Sequence, residues 1–169
     1  FEVDEDVGTA YYTITLSRDV QNTFTVDFTT SDITDEAVAG SDYTTASTTL
    51  TFGSTNDLVQ TVPVTIADDS WVEPSETLLG TLSNLAANDQ AVTIPTPTAI
   101  STINDNDAAS VAIDSVSLGE AEGPAVFTVI LTGNIQDALT VDFVTNDNTA
   151  TDPSDYTEQT GTVTFIAGS

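Results

Sequence analysis

Cysteine, histidine, lysine and methionine are absent, and Arg18 is the one basic side chain among 169 residues. Without His or Cys there is no His-dependent triad, no thiolate nucleophile, no conventional zinc centre and no disulfide. One basic side chain cannot neutralise a row of phosphates, which makes nucleic acid and anionic membrane surfaces very poor partners. No apolar run approaches about 18 residues, so no membrane-inserted helix is expected. Phe1 is not preceded by a charged-then-apolar leader, which places any signal peptide outside this sequence.

Acid is abundant: 27 Asp and Glu give a formal net charge of −26. Such a chain is rich in hard oxygen ligands, whose natural partners are hard cations. It is not a disordered acidic tail, because only 17% of residues are charged while 39% are hydrophobic. Aromatic and β-branched residues spread throughout supply enough apolar surface for a folded core.

The chain repeats itself. Gly8–Phe28 (GTAYYTITLSRDVQNTFTVDF) matches Gly123–Phe143 (GPAVFTVILTGNIQDALTVDF) without a gap at an offset of 115, and Glu5 pairs with Glu120. After a two-residue gap, Ser41-Asp42-Tyr43 matches Ser154-Asp155-Tyr156, and Leu50-Thr51-Phe52 matches Val163-Thr164-Phe165. Residues 1–107 are read as one repeat whose first strand is incomplete, and 108–169 as the first half of a second. An excerpt from a longer array explains these ragged ends better than neighbouring chains exchanging strands. Only Asn104-Asp105-Asn106-Asp107-Ala108-Ala109 joins the copies, which argues against independent tumbling.

Secondary structure reads as all-β. Tyr12, Ile14 and Leu16 alternate with Thr and Ser; so do Phe24, Val26 and Phe28, then Leu50 and Phe52, then Val62, Val64 and Ile66. This period of two, with Thr-rich outer positions and frequent Asp, Asn, Gly and Pro breaks, predicts antiparallel strands of a β-sandwich. Pro63 is expected on an edge or at a bulge, and Pro95 and Pro97 in a loop before a strand near 98–103. Gly80 interrupts an inward series of Leu78 and Leu82 with no evident reason.

Acids at Asp19, Asp27, Asp137 and Asp142 lie on or beside strands and read as solubilising charge. Others fill loop motifs around Glu5, Asp42, 68–76 and 105–107. Counting strands, these loops are every second connection, so Glu5, Asp42, Asp68, Asp69, Glu73, Asp105 and Asp107 are expected at one pole. Two carboxylates about 4 Å apart repel by roughly 4 kcal/mol at an effective dielectric of ~20. A few such pairs rival the ~5–15 kcal/mol that stabilises a whole domain. Cation binding resolves this, and Ca²⁺, with 6–8 flexible oxygen ligands, suits it better than Mg²⁺.

The ordered set Gly40-Ser41-Asp42-Tyr43, Leu50-Thr51-Phe52, Val64-Thr65-Ile66-Ala67-Asp68-Asp69 with Glu73 and Glu76, and Thr102-Ile103-Asn104-Asp105-Asn106-Asp107 resembles the Calx-beta domain. The resemblance covers almost all of 1–107 and the first half of a second copy. It implies tandem Ig-like antiparallel β-sandwich modules that bind Ca²⁺ at one pole, two or more ions per complete module. It also implies ligands at Glu5, Asp42, Asp68, Asp69, Glu73, Asp105 and Asp107, with Glu76 and the backbone carbonyl of Trp71 as further candidates. In the second copy only Glu120 and Asp155 match.

The expected function is non-enzymatic. Glu73 and Glu76 are too close in one loop, with no aromatic sugar platform, to be the paired acids of a glycosidase. The favoured expectation is a calcium-rigidified structural repeat of a large secreted or surface microbial protein, such as an adhesin or extracellular filament. Its partners would be neighbouring repeats or other copies, and its target a cell surface or carbohydrate. The alternative is a regulatory Ca²⁺ sensor acting on a partner protein, as in sodium–calcium exchangers.

Overall fold

A computed structural model describes residues 1–34, 36–53 and 58–169. The chain divides into two compact units, Phe1–Asp69 with Pro74–Asn106, and Ser70–Glu73 with Asp107–Ser169. The strands, in chain order, are β1 (Glu2–Asp4), β2 (Thr9–Thr15), β3 (Phe24–Asp32), β4 (Ser47–Phe52), β5 (Val59–Thr65), β6 (Trp71–Val72), β7 (Glu76–Ala86) and β8 (Thr98–Asn104). They continue with β9 (Ser110–Ile113), β10 (Val129–Thr132), β11 (Asn134–Ile135), β12 (Leu139–Val144) and β13 (Thr160–Phe165). The expected all-β class is what the chain adopts.

In the first unit one sheet runs β1-β8-β7-β3-β4 and a second pairs β2 with β5. Among the described strands of this unit, only β1 and β8 run parallel. Alternate residues of each strand fill the core: Phe24, Val26 and Phe28 from β3, Leu50 and Phe52 from β4, Val62 and Val64 from β5, and Tyr12 from β2. Each such side chain contributes about 1.5–3 kcal/mol on removal from water. Phe24 lies opposite Phe52 in the β3–β4 register, and their rings stack at 5.2 Å. Pro63 stands on β5, which pairs only with β2 in its sheet among the described residues, so its missing N–H interrupts no ladder.

The glycine left unexplained by sequence has a packing reason. Gly80 lies on β7 opposite Thr30 and Ala99, and a Cβ there would meet the Tyr12 ring at 2.6 Å and the Phe28 ring at 3.1 Å. The two rings pack at 4.9 Å over the glycine, so only a residue without a side chain passes beneath them.

In the second unit β9 pairs with β10, β12 with β13, and β11 runs parallel to β6. The segment Ser70–Glu73 is held there by side chains: Asn134 Nδ2 donates to the Ser70 carbonyl (3.1 Å) and hydroxyl (3.0 Å), and Gln136 Nε2 donates to Glu73 Oε1 (2.6 Å). The repeat seen in sequence is kept in hydrogen-bond register. Phe24↔Phe52 of β3–β4 becomes Leu139↔Phe165 of β12–β13. Thr49 donates to Asp27 at 2.6 Å and Thr162 to Asp142 at 2.6 Å.

Candidate metal centre

Four acids of the first unit form two close pairs, Glu5 with Asp105 and Asp42 with Glu76. β1 and β8 end side by side at Asp4↔Asn104, so the next residues, Glu5 and Asp105, leave the sheet together. Glu5 enters a 3-10 turn (Glu5–Val7) and is only 6% exposed. Its carboxylate and that of Asp105 offer oxygens within 4.8 Å of one another. Glu76 opens β7 opposite Ile103 of β8, which puts it at the same end. Asp42 and Glu76 likewise offer oxygens within 4.8 Å of one another.

The Asp42 turn is tightly held. Its Oδ2 accepts the Val38 N–H at 2.6 Å, and its carbonyl accepts the Ala67 N–H at 2.9 Å. That second bond ties the turn to the residue just before Asp68 and Asp69, both exposed. Beside it, Glu36 Oε2 accepts the Thr77 N–H (2.9 Å) and hydroxyl (3.0 Å), fixing the start of β7 next to Glu76.

The remaining sequence candidates are placed as follows. Trp71, half-buried in β6, Glu73 and Asp107 belong to the second unit. Asp155 is exposed, and its Oδ2 accepts the Thr151 N–H at 2.8 Å, as Asp42 does from Val38. Glu120 sits exposed in a turn. Among the described residues, Asp68, Asp69, Glu120 and Asp155 fall outside the close acidic groupings.

Sequence reasoning missed Asp32 and its counterpart Asp147. Asp32 Oδ1 accepts the Tyr43 hydroxyl (2.7 Å) and the Ala39 N–H (2.9 Å). Asp147 Oδ1 accepts the Tyr156 hydroxyl (2.8 Å) and the Asp152 N–H (2.8 Å). The signal was present: both acids stand at the repeat offset, each ahead of a matched Asp-Tyr pair. Burial first, and then the bond to Asp32, push the Tyr43 phenol far above its usual range. Desolvation and Asp147 push Tyr156 up to about 12. Donation from the Asp152 amide and then Tyr156 holds Asp147 below the usual carboxylate range.

Chemically, this end of the first unit offers closely spaced carboxylate oxygens, one carboxylate buried, with no soft ligand anywhere in the chain. Repulsion within 4.8 Å amounts to roughly 3–4 kcal/mol per ionised pair at an effective dielectric of ~20. The donor set fits a hard divalent cation with flexible coordination, and Ca²⁺ meets that description. It fits a non-catalytic binding module.

The Calx-beta domain signature matches residues 1–107 and again 105–169, and the chain belongs to the Calx-beta domain family. Among solved structures, the apo-form Calx CBD1 domain aligns with TM-score 0.56 at 25% identity, covering 63% of this chain and 90% of that one. The calcium binding domain CBD12 of CALX1.1 aligns with TM-score 0.56 at 23% identity, covering 100% of this chain and 68% of that one. CBD12 from CALX1.2 aligns with TM-score 0.56 at 24% identity over 99% of this chain and 66% of that one. No curated protein matches the chain. No helix among the described residues is long and apolar enough to cross a membrane.

Proposed function

We propose that this chain is a Ca²⁺-responsive tandem module that regulates a partner protein. Glu5, Asp42, Asp68, Asp69, Glu73, Asp105 and Asp107 hold the ions, joined by Glu76 and the Trp71 carbonyl. The carrying observation is the buried Glu5 carboxylate set against Asp105 where β1 and β8 end. Bound Ca²⁺ supplies positive charge that neutralises this end of the module. The protein's own residues do the rest: Asp42 braces its turn through Val38 and Ala67, and Glu36 anchors β7, so the acids are presented on a prepared scaffold. The CBD12 structures that align over 100% and 99% of this chain, one of them described as a calcium binding domain, lend support to the calcium-binding part of this reading.

A second reading, a constitutively loaded structural repeat of a secreted or cell-surface filament or adhesin, is favoured by composition. A net charge of −26 with one Arg suits solubility in salty, calcium-rich surroundings. Its partners would be neighbouring repeats or other copies of the protein.

One titration tests both. After chelation, Ca²⁺ is added while Trp71 fluorescence and melting temperature are followed, with Mg²⁺ as control. A calcium-specific response with a micromolar midpoint supports the regulatory module, and a millimolar midpoint the structural repeat. If neither signal moves, both readings fall.

A further inference from the structure

We infer that Asp32 is a positioning residue for calcium, gripping the chain on both sides of Asp42 and so setting how firmly that carboxylate is presented to an ion. The inference rests on the calcium reading above, in which Asp42 is a ligand. Asp32 closes β3 opposite Leu78, two residues along β7 from Glu76. Its Oδ1 accepts the Ala39 N–H at 2.9 Å and the Tyr43 hydroxyl at 2.7 Å, three residues before Asp42 and one after it. Tyr43 is 1% exposed, so the second anchor is fixed in the core. Asp32 itself falls outside the close acidic groupings among the described residues, so its effect on an ion passes through Asp42.

The second copy keeps this grip while changing the loop that it closes. Asp147 Oδ1 accepts the Asp152 N–H and the Tyr156 hydroxyl, both at 2.8 Å, again three residues before and one after the matching acid, Asp155. Six residues separate Asp32 from Ala39 but four separate Asp147 from Asp152, and Pro153 stands where the first copy has Gly40. Inside both grips the same bond recurs: Asp42 Oδ2 accepts the Val38 N–H at 2.6 Å, and Asp155 Oδ2 the Thr151 N–H at 2.8 Å. A loop that changes length and composition around an unchanged grip points to the acid inside it as what the turn is built to hold.

The physical reason is preorganisation. A carboxylate on a turn binds an ion in proportion to the time the turn spends in the competent geometry. The Ala67 N–H ties the Asp42 carbonyl to the chain leaving β5, and the Val38 bond closes the turn on itself. Asp32 supplies the tie to β3 and, through the β3–β7 register, to the strand that starts at Glu76. Asp42 and Glu76 offer oxygens within 4.8 Å of one another, and a turn loose from β3 loses that spacing.

The test compares Asp32→Ala, Asp32→Asn and Tyr43→Phe with the parent 169-residue chain by calorimetric Ca²⁺ titration, at a temperature where each is folded. Both Asp32 variants lose the charge, but only asparagine keeps an acceptor oxygen for Ala39 and Tyr43. Asp32→Ala should raise the Kd about tenfold or more with the number of ions unchanged. Asp32→Asn should recover most of that loss, and Tyr43→Phe, which keeps the charge and removes one bond, should fall between the parent and Asp32→Ala. Asp27→Asn, at an acid of the same strand, should leave the Kd unchanged. Without Ca²⁺, hydrogen exchange at the Val38 amide should quicken in Asp32→Ala. Lower stability with an unchanged Kd would overturn the inference, as would an unchanged Val38 amide. So would equal weakening by Asp32→Ala and Asp32→Asn, which would make the effect one of charge. If Asp32→Ala does not fold, the decision passes to Tyr43→Phe, which must weaken binding more than Asp32→Asn does. A parent chain that binds no Ca²⁺ sinks the calcium reading and this inference with it, whereas a parent that binds while its variants match it sinks this inference alone.

Discussion

Tyr43 donates its phenolic hydrogen to Asp32 Oδ1 at 2.7 Å, and Tyr156 repeats the bond to Asp147 Oδ1 at 2.8 Å. Tyr43 is 1% exposed, so its loss leaves little room for water to substitute. Tyr43→Phe should destabilise the first unit by about 1–3 kcal/mol. Asp32→Ala should cost more, because the same oxygen also accepts the Ala39 N–H. Urea denaturation reads both, and Tyr156→Phe, at a more open site, should show the smaller effect.

Gly80 offers a change whose sign is diagnostic. In an ordinary strand interior, Ala improves on Gly by roughly 0.5–1 kcal/mol. Here a Cβ would meet the Tyr12 ring at 2.6 Å, so Gly80→Ala should destabilise by about 1–3 kcal/mol. Adding Tyr12→Leu should recover part of that loss. A melting temperature that rises with Gly80→Ala alone would refute the close packing.

Calcium linkage should be sensitive to one buried acid. A ligand present at 100 times its Kd stabilises the native state by about 2.7 kcal/mol. Glu5→Gln should remove most of the calcium-induced rise in melting temperature, while Asp27→Asn, on a strand face, should leave it intact. Calorimetric scans with and without Ca²⁺ separate the two.

Hydrogen bonds from Thr49 and then Asn84 hold the Asp27 carboxyl below its usual range. A depressed native pKa contributes stability above the unfolded-state value and loses it as pH falls through the native one. Asp27→Asn should therefore lower stability at neutral pH, and the gap to the parent should close in acid. Stability measured from pH 7 downward checks the convergence.

Tyr12 titrates in the opposite direction. Burial, partly offset by Ser101, raises its phenol above the ordinary value. Its contribution is complete below the unfolded-state pKa and disappears as pH rises through the native one. Its buried hydroxyl makes no hydrogen bond of ordinary geometry among the described residues. Tyr12→Phe should thus hold the neutral-pH melting temperature at or above the parent's and flatten the alkaline decline.

Much of this was legible along the chain. Phe24, Val26 and Phe28 fill the core because a pleated strand turns alternate side chains to one face, a rule that needs only neighbours in sequence. The repeat, the loop acids and the Calx-beta motifs are equally local. Gly80, Asp32 and the β6–β11 pair were not legible. Each acquires its meaning from a residue brought near only by folding: the Tyr12 ring over Gly80, Tyr43 on Asp32, and Asn134 against Trp71. Sequence by itself determined the strands, the duplication and the oxygen-rich chemistry, since these follow from periodicity and side-chain type. Tertiary structure alone decided which strands pair and which acids meet, because strand pairing and side-chain packing join residues far apart in the chain.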